Sequence, residues 1–374
     1  MQPQQLHIVT HDVPWPADHG GLIDLFYKIR ALHGIGVQLH LHCFTAGRPP
    51  QEALLPYCAS VNYYRRWKSI SRFSLRLPFI VNSRTSKKLL LNLQQDNHPI
   101  LLEGIHCTHL LYKNLLPGRK IIVRLHNAEF AYYRQLARHE RNPFRKFYFR
   151  HESRLLEKYE RALARRASFL AVSQQDAELY KNHFQAPHVD WLPVFIPDHW
   201  TAAAAGNGCF ALYHGNLSVN ENEVAAAWLL QQVFAASDLP LVIAGKQPSG
   251  GLDKLVHQQL NTCLVADPGE KEMQDLISKA HVNVLPAFNN TGIKLKLLNA
   301  LFNGRHCLVN RAAINGSGLE ACCHVADTAA EFREKLDRLY STPFSETEKL
   351  QREELRNSTY NNAVNARRLM QFLQ

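Results

Sequence analysis

VLPAFNNTGIKLKLLNALFNGRHCLVN, residues 284–310, holds a complete strand, loop, helix and strand within 27 residues. The apolar run that closes at Pro286 has the length of a buried strand. A polar loop follows, Asn289-Asn290-Thr291-Gly292, and then apolar residues at helical spacing as far as Gly304. Glycine just past the last turn ends the helix, and HCLVN opens the next strand. Lys294 and Lys296 fall in the first turn of that helix. Cations there oppose the partial positive charge of the helix N-terminus, so a bound anion would resolve the conflict; a solvated basic helix end is the other reading. Asn299 lies one turn on, near Lys296.

The same alternation extends in both directions. Runs of four to eight apolar residues recur at 6–10, 37–44, 100–103, 121–125, 169–173 and 189–194, and again at 210–215, 241–245, 282–286 and 307–310. Between them lie turns or segments of helical period, the pattern of buried parallel strands with covering helices. This predicts an α/β protein of two tandem Rossmann-like, doubly wound domains. The first spans 1–195, a Pro/Ala/Gly-rich linker 196–208, and the second 209–350. Residues 329–374 read as two helices, with 351–374 returning to pack on the first domain. Two such domains would face each other across a cleft, because ligands of open parallel sheets bind beyond the carboxyl ends of the strands.

Composition agrees with this class. The chain has 374 residues, 46% hydrophobic and 20% charged, with 18 Gly and 18 Pro. These are globular values, and no apolar run approaches the roughly 20 residues of a membrane span. The net charge of +11 is uneven: residues 1–190 hold 27 Lys+Arg against 14 Asp+Glu, and residues 191–374 hold 16 against 18. Eight cysteines form no C-x-x-C pair and sit mostly in apolar runs, so they read as reduced core residues. The N-terminus lacks the pattern of a secretory signal, and the expected location is cytoplasmic.

Two loops that follow strands stand out. The first carries Pro14, Pro16 and then Gly20-Gly21 ahead of a helix with Leu22, Leu25, Phe26, Ile29 and Leu32 at apolar positions. Paired glycines at such a junction let backbone N–H groups approach a phosphate; a simple tight turn is the alternative. The second is His126-Asn127-Ala128-Glu129, where His126 would project from the carboxyl end of a strand. Among 20 histidines, a satisfied core or surface role is the competing reading. G-x-G-x-x-G and the Walker lysine motif are both missing, against a dinucleotide oxidoreductase or a P-loop NTPase. D-x-D is missing too, so the usual carboxylate pair for a nucleotide-bound divalent ion is lacking. His40 and His42 alternate in a strand without further ligands and read as packing.

In this arrangement the chain resembles the GT-B fold glycosyltransferases, specifically the retaining enzymes of family 4. Residues 14–21 look like that family's glycine-rich donor loop, and RLHNAE (124–129) like its HN-x-E segment. AVSQQD (171–176), YHGNL (213–217) and LVIAGK (241–246) resemble further strand ends of the family, and TGIKLKLLNALFNG (291–304) is close to its GtGiRlKlLEAla.G pattern. The resemblance implies sugar transfer, with retention, from a UDP- or GDP-sugar to a glycan or lipid-linked acceptor in cell-surface polysaccharide or glycolipid assembly. It assigns the acceptor to the first domain and the nucleotide sugar to the second, and implies no metal and no cofactor beyond the donor itself. Lys294, Lys296 and the backbone at Gly20 and Gly21 would then stabilise the leaving diphosphate. His126 would contact the sugar near the reacting centre. Asn127, Glu129, Gly215, Asn216, Thr291, Gly292, Ile293 and Asn299 would complete the donor site. The chain departs from the family at its E-x7-E signature, where Thr291 and Asn299 stand in place of glutamates. An amide offers one acceptor where a carboxylate would take both ribose hydroxyls, so a catalytically silent binding protein is the second reading.

The first half also carries a basic, aromatic surface. No acidic residue lies between Glu52 and Asp96, a segment holding Arg65, Arg66, Lys68, Arg72, Arg76, Arg84, Lys87 and Lys88 with Tyr63, Tyr64, Trp67, Phe73 and Phe79. A second basic stretch, 145–166, has helical period. Such faces suit an anionic membrane surface, with nucleic acid as the weaker alternative and a soluble basic domain with core aromatics as the plainest.

Overall fold

The structure, a computed structural model, describes residues 4–18, 20–69, 72–140, 142–235, 237–289 and 292–373, apart from the side chain of His139. Its contacts divide it into two units, Met1–Asp198 with Tyr360–Gln374, and His199–Thr359.

The first unit is built on a seven-stranded, all-parallel sheet: β1 (Gln5–Thr10), β2 (Gln38–Thr45), β3 (Ser60–Arg65), β4 (Ile100–Glu103), β5 (Ile121–Leu125), β6 (Ser168–Ala171) and β7 (Val189–Trp191). Their order is β3-β2-β1-β4-β5-β6-β7, the doubly wound arrangement in which the chain reverses direction beside β1. Both faces are covered. Val9, Leu102, Val123 and Phe169 point into one core. Leu6, Ile8, Leu101, Ile122 and Leu170 point into the other, where the helices Gly20–Gly34 and Asn362–Phe372 pack through Leu25, Ile29, Ala366 and Leu369.

The second unit has six parallel strands, β8 (Ala211–Asn216), β9 (Leu241–Lys246), β10 (Thr262–Ala266), β11 (Val282–Leu285), β12 (His306–Val309) and β13 (His324–Val325), in the order β10-β9-β8-β11-β12-β13. β11 and β12 are wholly buried, as their apolar runs require. Gly245 permits the close approach of β8 and β9, since a Cβ there would lie 1.9 Å from the Gly215 carbonyl oxygen.

Three sequence expectations need correction. β3, β10 and β13 were not expected; β3 and β10 are edge strands with little buried surface, and β13 is two residues long, so none has a continuous apolar run. The C-terminal region forms three helices instead of two, Ala329–Tyr340, Glu346–Ser358 and Asn362–Phe372, because Thr328, Ser345 and Asn361 each cap a new start. Of the eight cysteines only Cys43, Cys107 and Cys307 are buried, and Cys209 and Cys263 are exposed. No described helix is long and apolar enough to cross a membrane.

Candidate functional site

In the first unit, polar side chains converge at the carboxyl ends of β4 and β5. Asp24 and Lys28 sit one turn apart on the apolar face of helix Gly20–Gly34, and the Lys28 ammonium is fully buried. It donates to Asp24 Oδ2 at 2.8 Å and to both oxygens of Glu103 at 2.8 and 3.0 Å. Arg124 approaches Asp24 at 3.4 Å and donates to the carbonyls of Leu192 and Pro193. Two buried carboxylates are thus matched by two buried cations. Burial alone would push Asp24 up, but Lys28, Arg124 and His126 outweigh it and hold the carboxyl well below the usual range. Glu103 is lowered by the same contest, with Lys28 and His126 prevailing over burial.

His126 caps this neutral cluster. Its Nε2–H donates to Glu103 Oε2 at 3.0 Å, while Nδ1 stands 4.0 Å from Asp24 Oδ2. The ring keeps 14% of its surface exposed, against 0–1% for the four charged side chains beneath it. A carboxylate-oriented imidazole with one edge open suits positioning or proton exchange at a ligand. Asp24, Glu103 and His126 also have the donor set of a divalent-metal site. The Lys28 ammonium already supplies the positive charge between the two carboxylates.

Gly21 lies beside His126 through His11: a Cβ on Gly21 would meet only the His11 imidazole, at 3.7 Å, and the His11 and His126 rings are 5.7 Å apart. Gly20 and Gly21 open the helix. His106, buried and held well below its usual value first by burial and then by Arg84, lies 5.3 Å from His11. The Asn127 side chain hydrogen-bonds to Glu129. Glu129 begins helix Glu129–His139, and burial pushes its carboxyl up to about 7, with Asp176 adding and Asn127 opposing.

The second unit assembles a different set at the carboxyl ends of β8 and β11. Lys294 occupies the N-cap position of helix Leu295–Asn303, with no capping bond from its side chain, and Lys296 lies in the first turn. The Lys296 Nζ donates to Asn222 Oδ1 at 2.9 Å and to the Tyr213 hydroxyl at 3.3 Å. Asn222 donates in turn to the Asn216 carbonyl at 2.9 Å, and its side chain lies against the position a Cβ on Gly215 would take. Burial lowers Lys296 to about 8, with Glu221 opposing and Lys294 adding. His214, deep in β8, is held down to about 3 by burial and then by Lys296, and its Nε2 has no hydrogen-bond partner. Gly292, at φ +62°, and Ile293 lead into the helix. Thr291 lies outside the described residues. Asn299 accepts from Asn303 at 2.5 Å, and Asn303 accepts from the Thr201 amide at 3.1 Å, so the Asn299 oxygen is tied to its own helix.

The structure therefore brings Lys296, Asn216 and Gly215 together in one unit and His126 and Gly21 in the other. Asp24, Lys28, Glu103, His11, Tyr213 and Asn222 went unnoticed in the sequence. An Asp-x3-Lys pair on an otherwise apolar helix face and a glutamate ending an apolar strand were the available signals.

This architecture is the two-domain α/β GT-B fold of glycosyltransferases. Among solved structures, TarM superimposes with a TM-score of 0.68 at 9% identity over 99% of each chain. An α,α-trehalose-phosphate synthase (UDP-forming) from Burkholderia xenovorans, in complex with glucose-6-phosphate, gives 0.65 at 10% identity over 99% of this chain and 100% of that one. HepE of Anabaena, in complex with UDP and glucose, gives 0.63 at 10% identity over 99% of each. In sequence the chain is similar to an uncharacterized 44.6 kDa protein in the cps region of Klebsiella pneumoniae, 26% identical over 332 residues, 83% of this chain and 84% of that protein. No family model matches the sequence.

Proposed function

We propose that the chain is a retaining, metal-independent glycosyltransferase of the family 4 type. It transfers a sugar from a UDP- or GDP-sugar to a glycan or lipid-linked acceptor at the cytoplasmic face of a membrane. The observation that carries this reading is Lys296: an ammonium held by Tyr213 and Asn222 at a helix start, where a bound anion would add to the nearby Glu221 carboxylate in balancing the side chain and the helix N-terminus. In the reaction, the bond from the sugar's anomeric carbon to the diphosphate breaks and one to the acceptor oxygen forms. The acceptor proton passes to the departing phosphate. Lys294 and Lys296 balance the charge that develops there, and His126 contacts the sugar from its carboxylate-fixed position. The HepE and trehalose-phosphate synthase structures, with UDP and glucose or glucose-6-phosphate, support a nucleotide sugar and a sugar acceptor. The cps-region relative is consistent with polysaccharide assembly.

The experiment is a panel of nucleotide sugars tested by thermal shift and by mass spectrometry for hydrolysis or transfer. A rise in Tm with UDP, GDP or one of their sugars is expected. No rise with any of them at millimolar concentration rejects the donor site. One observation favours a second reading, a binding protein without turnover: the Asn299 oxygen is engaged by Asn303. Donor binding with neither hydrolysis nor transfer would select it.

A further inference from the structure

At the amino ends of β12 and β13, the edge of the second sheet opposite to Lys296, two imidazoles and a carboxylate face one another. His306 opens β12, His324 opens β13, and Glu348 lies in the first turn of helix Glu346–Ser358. His306 and Glu348 are each pre-oriented by a bond made on the far side. His306 Nε2–H donates to the Thr342 carbonyl at 2.9 Å, which leaves Nδ1 as the nitrogen with the lone pair. Glu348 uses Oε2 to close the capping box, accepting from the Ser345 amide and hydroxyl at 3.2 and 3.0 Å, which leaves Oε1 free.

The remaining atoms point inward. His306 is 1% exposed, and its Nδ1 is buried with no hydrogen-bond partner. It faces Glu348 Oε1 at 3.4 Å, and His324 Nε2 faces the same oxygen at 3.6 Å. The three ligand atoms lie within 4.8 Å of one another. A buried lone pair directed at a carboxylate oxygen is repulsive unless a cation lies between them. Arg352 does not reach in. It donates to the carbonyls of Leu301, Gly304 and Arg305 and stacks 4.7 Å over Phe344.

We propose that His306, His324 and Glu348 bind a divalent transition-metal ion of the zinc class, whose fourth position would be taken by water. Two imidazole nitrogens and one carboxylate oxygen form a zinc donor set, and a tetrahedral ion with bonds of about 2.0–2.2 Å separates its ligands by roughly 3.3–3.5 Å. The two pairs that share Oε1 already stand near that spacing. The Thr342 carbonyl and Ser345 supply the outer hydrogen bonds that hold metal ligands in place. The ion would join two strands to the helix that follows them. Its place at the amino edge of the sheet separates it from any chemistry at the carboxyl ends.

The test uses the full chain, stripped with chelator and titrated with Zn²⁺ by calorimetry and with Co²⁺ by visible absorption. One equivalent of Zn²⁺ should bind and raise Tm by a few degrees, Co²⁺ should show tetrahedral d–d bands without thiolate charge transfer, and Mg²⁺ should do neither. Glu348→Gln retains the capping box, and His324→Gln alters a partly exposed side chain. Each should weaken Zn²⁺ by more than the roughly 10–100-fold that loss of an outer partner costs. Failure of the wild type to bind at micromolar free zinc overturns the site, and so does unchanged affinity in the two variants.

Discussion

The Lys296 ammonium lies 4.9 Å from the centroid of the Tyr213 ring, so a cation near the start of a helix is held by an aromatic face as well as by hydrogen bonds. This geometry fixes the charge before any ligand arrives. Lys296→Ala should weaken UDP or GDP by about 10–100-fold, the equivalent of about 1.5–3 kcal/mol for a hydrogen bond to a charged group. Calorimetry decides it, and unchanged affinity removes Lys296 from the site.

Because burial lowers Lys296 to about 8, diphosphate binding should depend on pH. The binding form is protonated, so affinity should fall as pH rises from 7 through 9. Lys296→Arg, charged throughout, should abolish that fall. Stability carries the opposite sign. Between about pH 8 and the ordinary lysine value the unfolded chain holds the proton that the folded chain has released, so this group favours folding more as pH rises.

His126→Ala should lower turnover by about 100-fold while donor affinity changes little, since the ring is oriented by Glu103 of its own unit. Steady-state kinetics with the donor identified by the panel measures both. An unaltered rate would retire His126 from the mechanism.

The cluster beneath His126 should be costly to break. Lys28→Met leaves Asp24 and Glu103 facing each other without their shared ammonium, and loss of one partner from a buried ion pair typically costs about 3–5 kcal/mol. Urea unfolding followed by fluorescence should show it as an early transition.

Buried carboxylates should also make the first unit more stable in mild acid. Burial raises Glu129 and Glu152 to about 7, and Glu160, bonded by Tyr180 at 2.6 Å, well above its ordinary value. Between the ordinary glutamate value and pH 7 the folded state binds more protons than the unfolded, so stability should fall as pH rises through that window. Melting at pH 6 above melting at pH 8, with a smaller difference in Glu129→Gln, is the expected result.

A last prediction concerns the basic helices Glu129–His139 and Pro143–Ala164. Arg134, Arg138, Arg150 and Arg154 line a depression of about 350 Å³, and Phe144 and Phe147 stand 84% and 73% exposed on the same helix as Arg150 and Arg154. Flotation with anionic vesicles at low salt should retain the wild type and lose Arg150→Glu/Arg154→Glu. Equal flotation of both would clear this surface of a membrane role.

The interior strands were legible because burial on both faces demands unbroken apolar runs: the bounds of β4 and β5 agree with the sequence reading to the residue. Edge strands escape that rule, as β3 and β10 show. Site residues were legible only where a strand end or helix start singled them out, as for His126 and Lys296. Asp24, Lys28 and Glu103 lie 75 residues or more apart in part, and only the fold makes their charges cancel. The basic segment mixes both readings: Tyr64 is core, as the plainer alternative expects, while Arg65 and Arg72 lie 4.4 and 5.3 Å from the centroid of the Trp67 ring.

Behind β3 lies a row of polar side chains: Asn92 donates to the Tyr64 hydroxyl at 2.8 Å, Tyr64 contacts His42 at 2.8 Å, His42 contacts His7 at 2.8 Å, and His7 reaches Asp96 at 3.0 Å. Asn92 can only give at its end of this row and Asp96 can only take, so every link between them has one direction and each imidazole one tautomer. An edge strand with little to bury is thereby keyed to its neighbours by donor polarity, as a plug is keyed to a socket. Sliding β3 by one residue would leave Tyr64 facing away from His42 and strand the whole series.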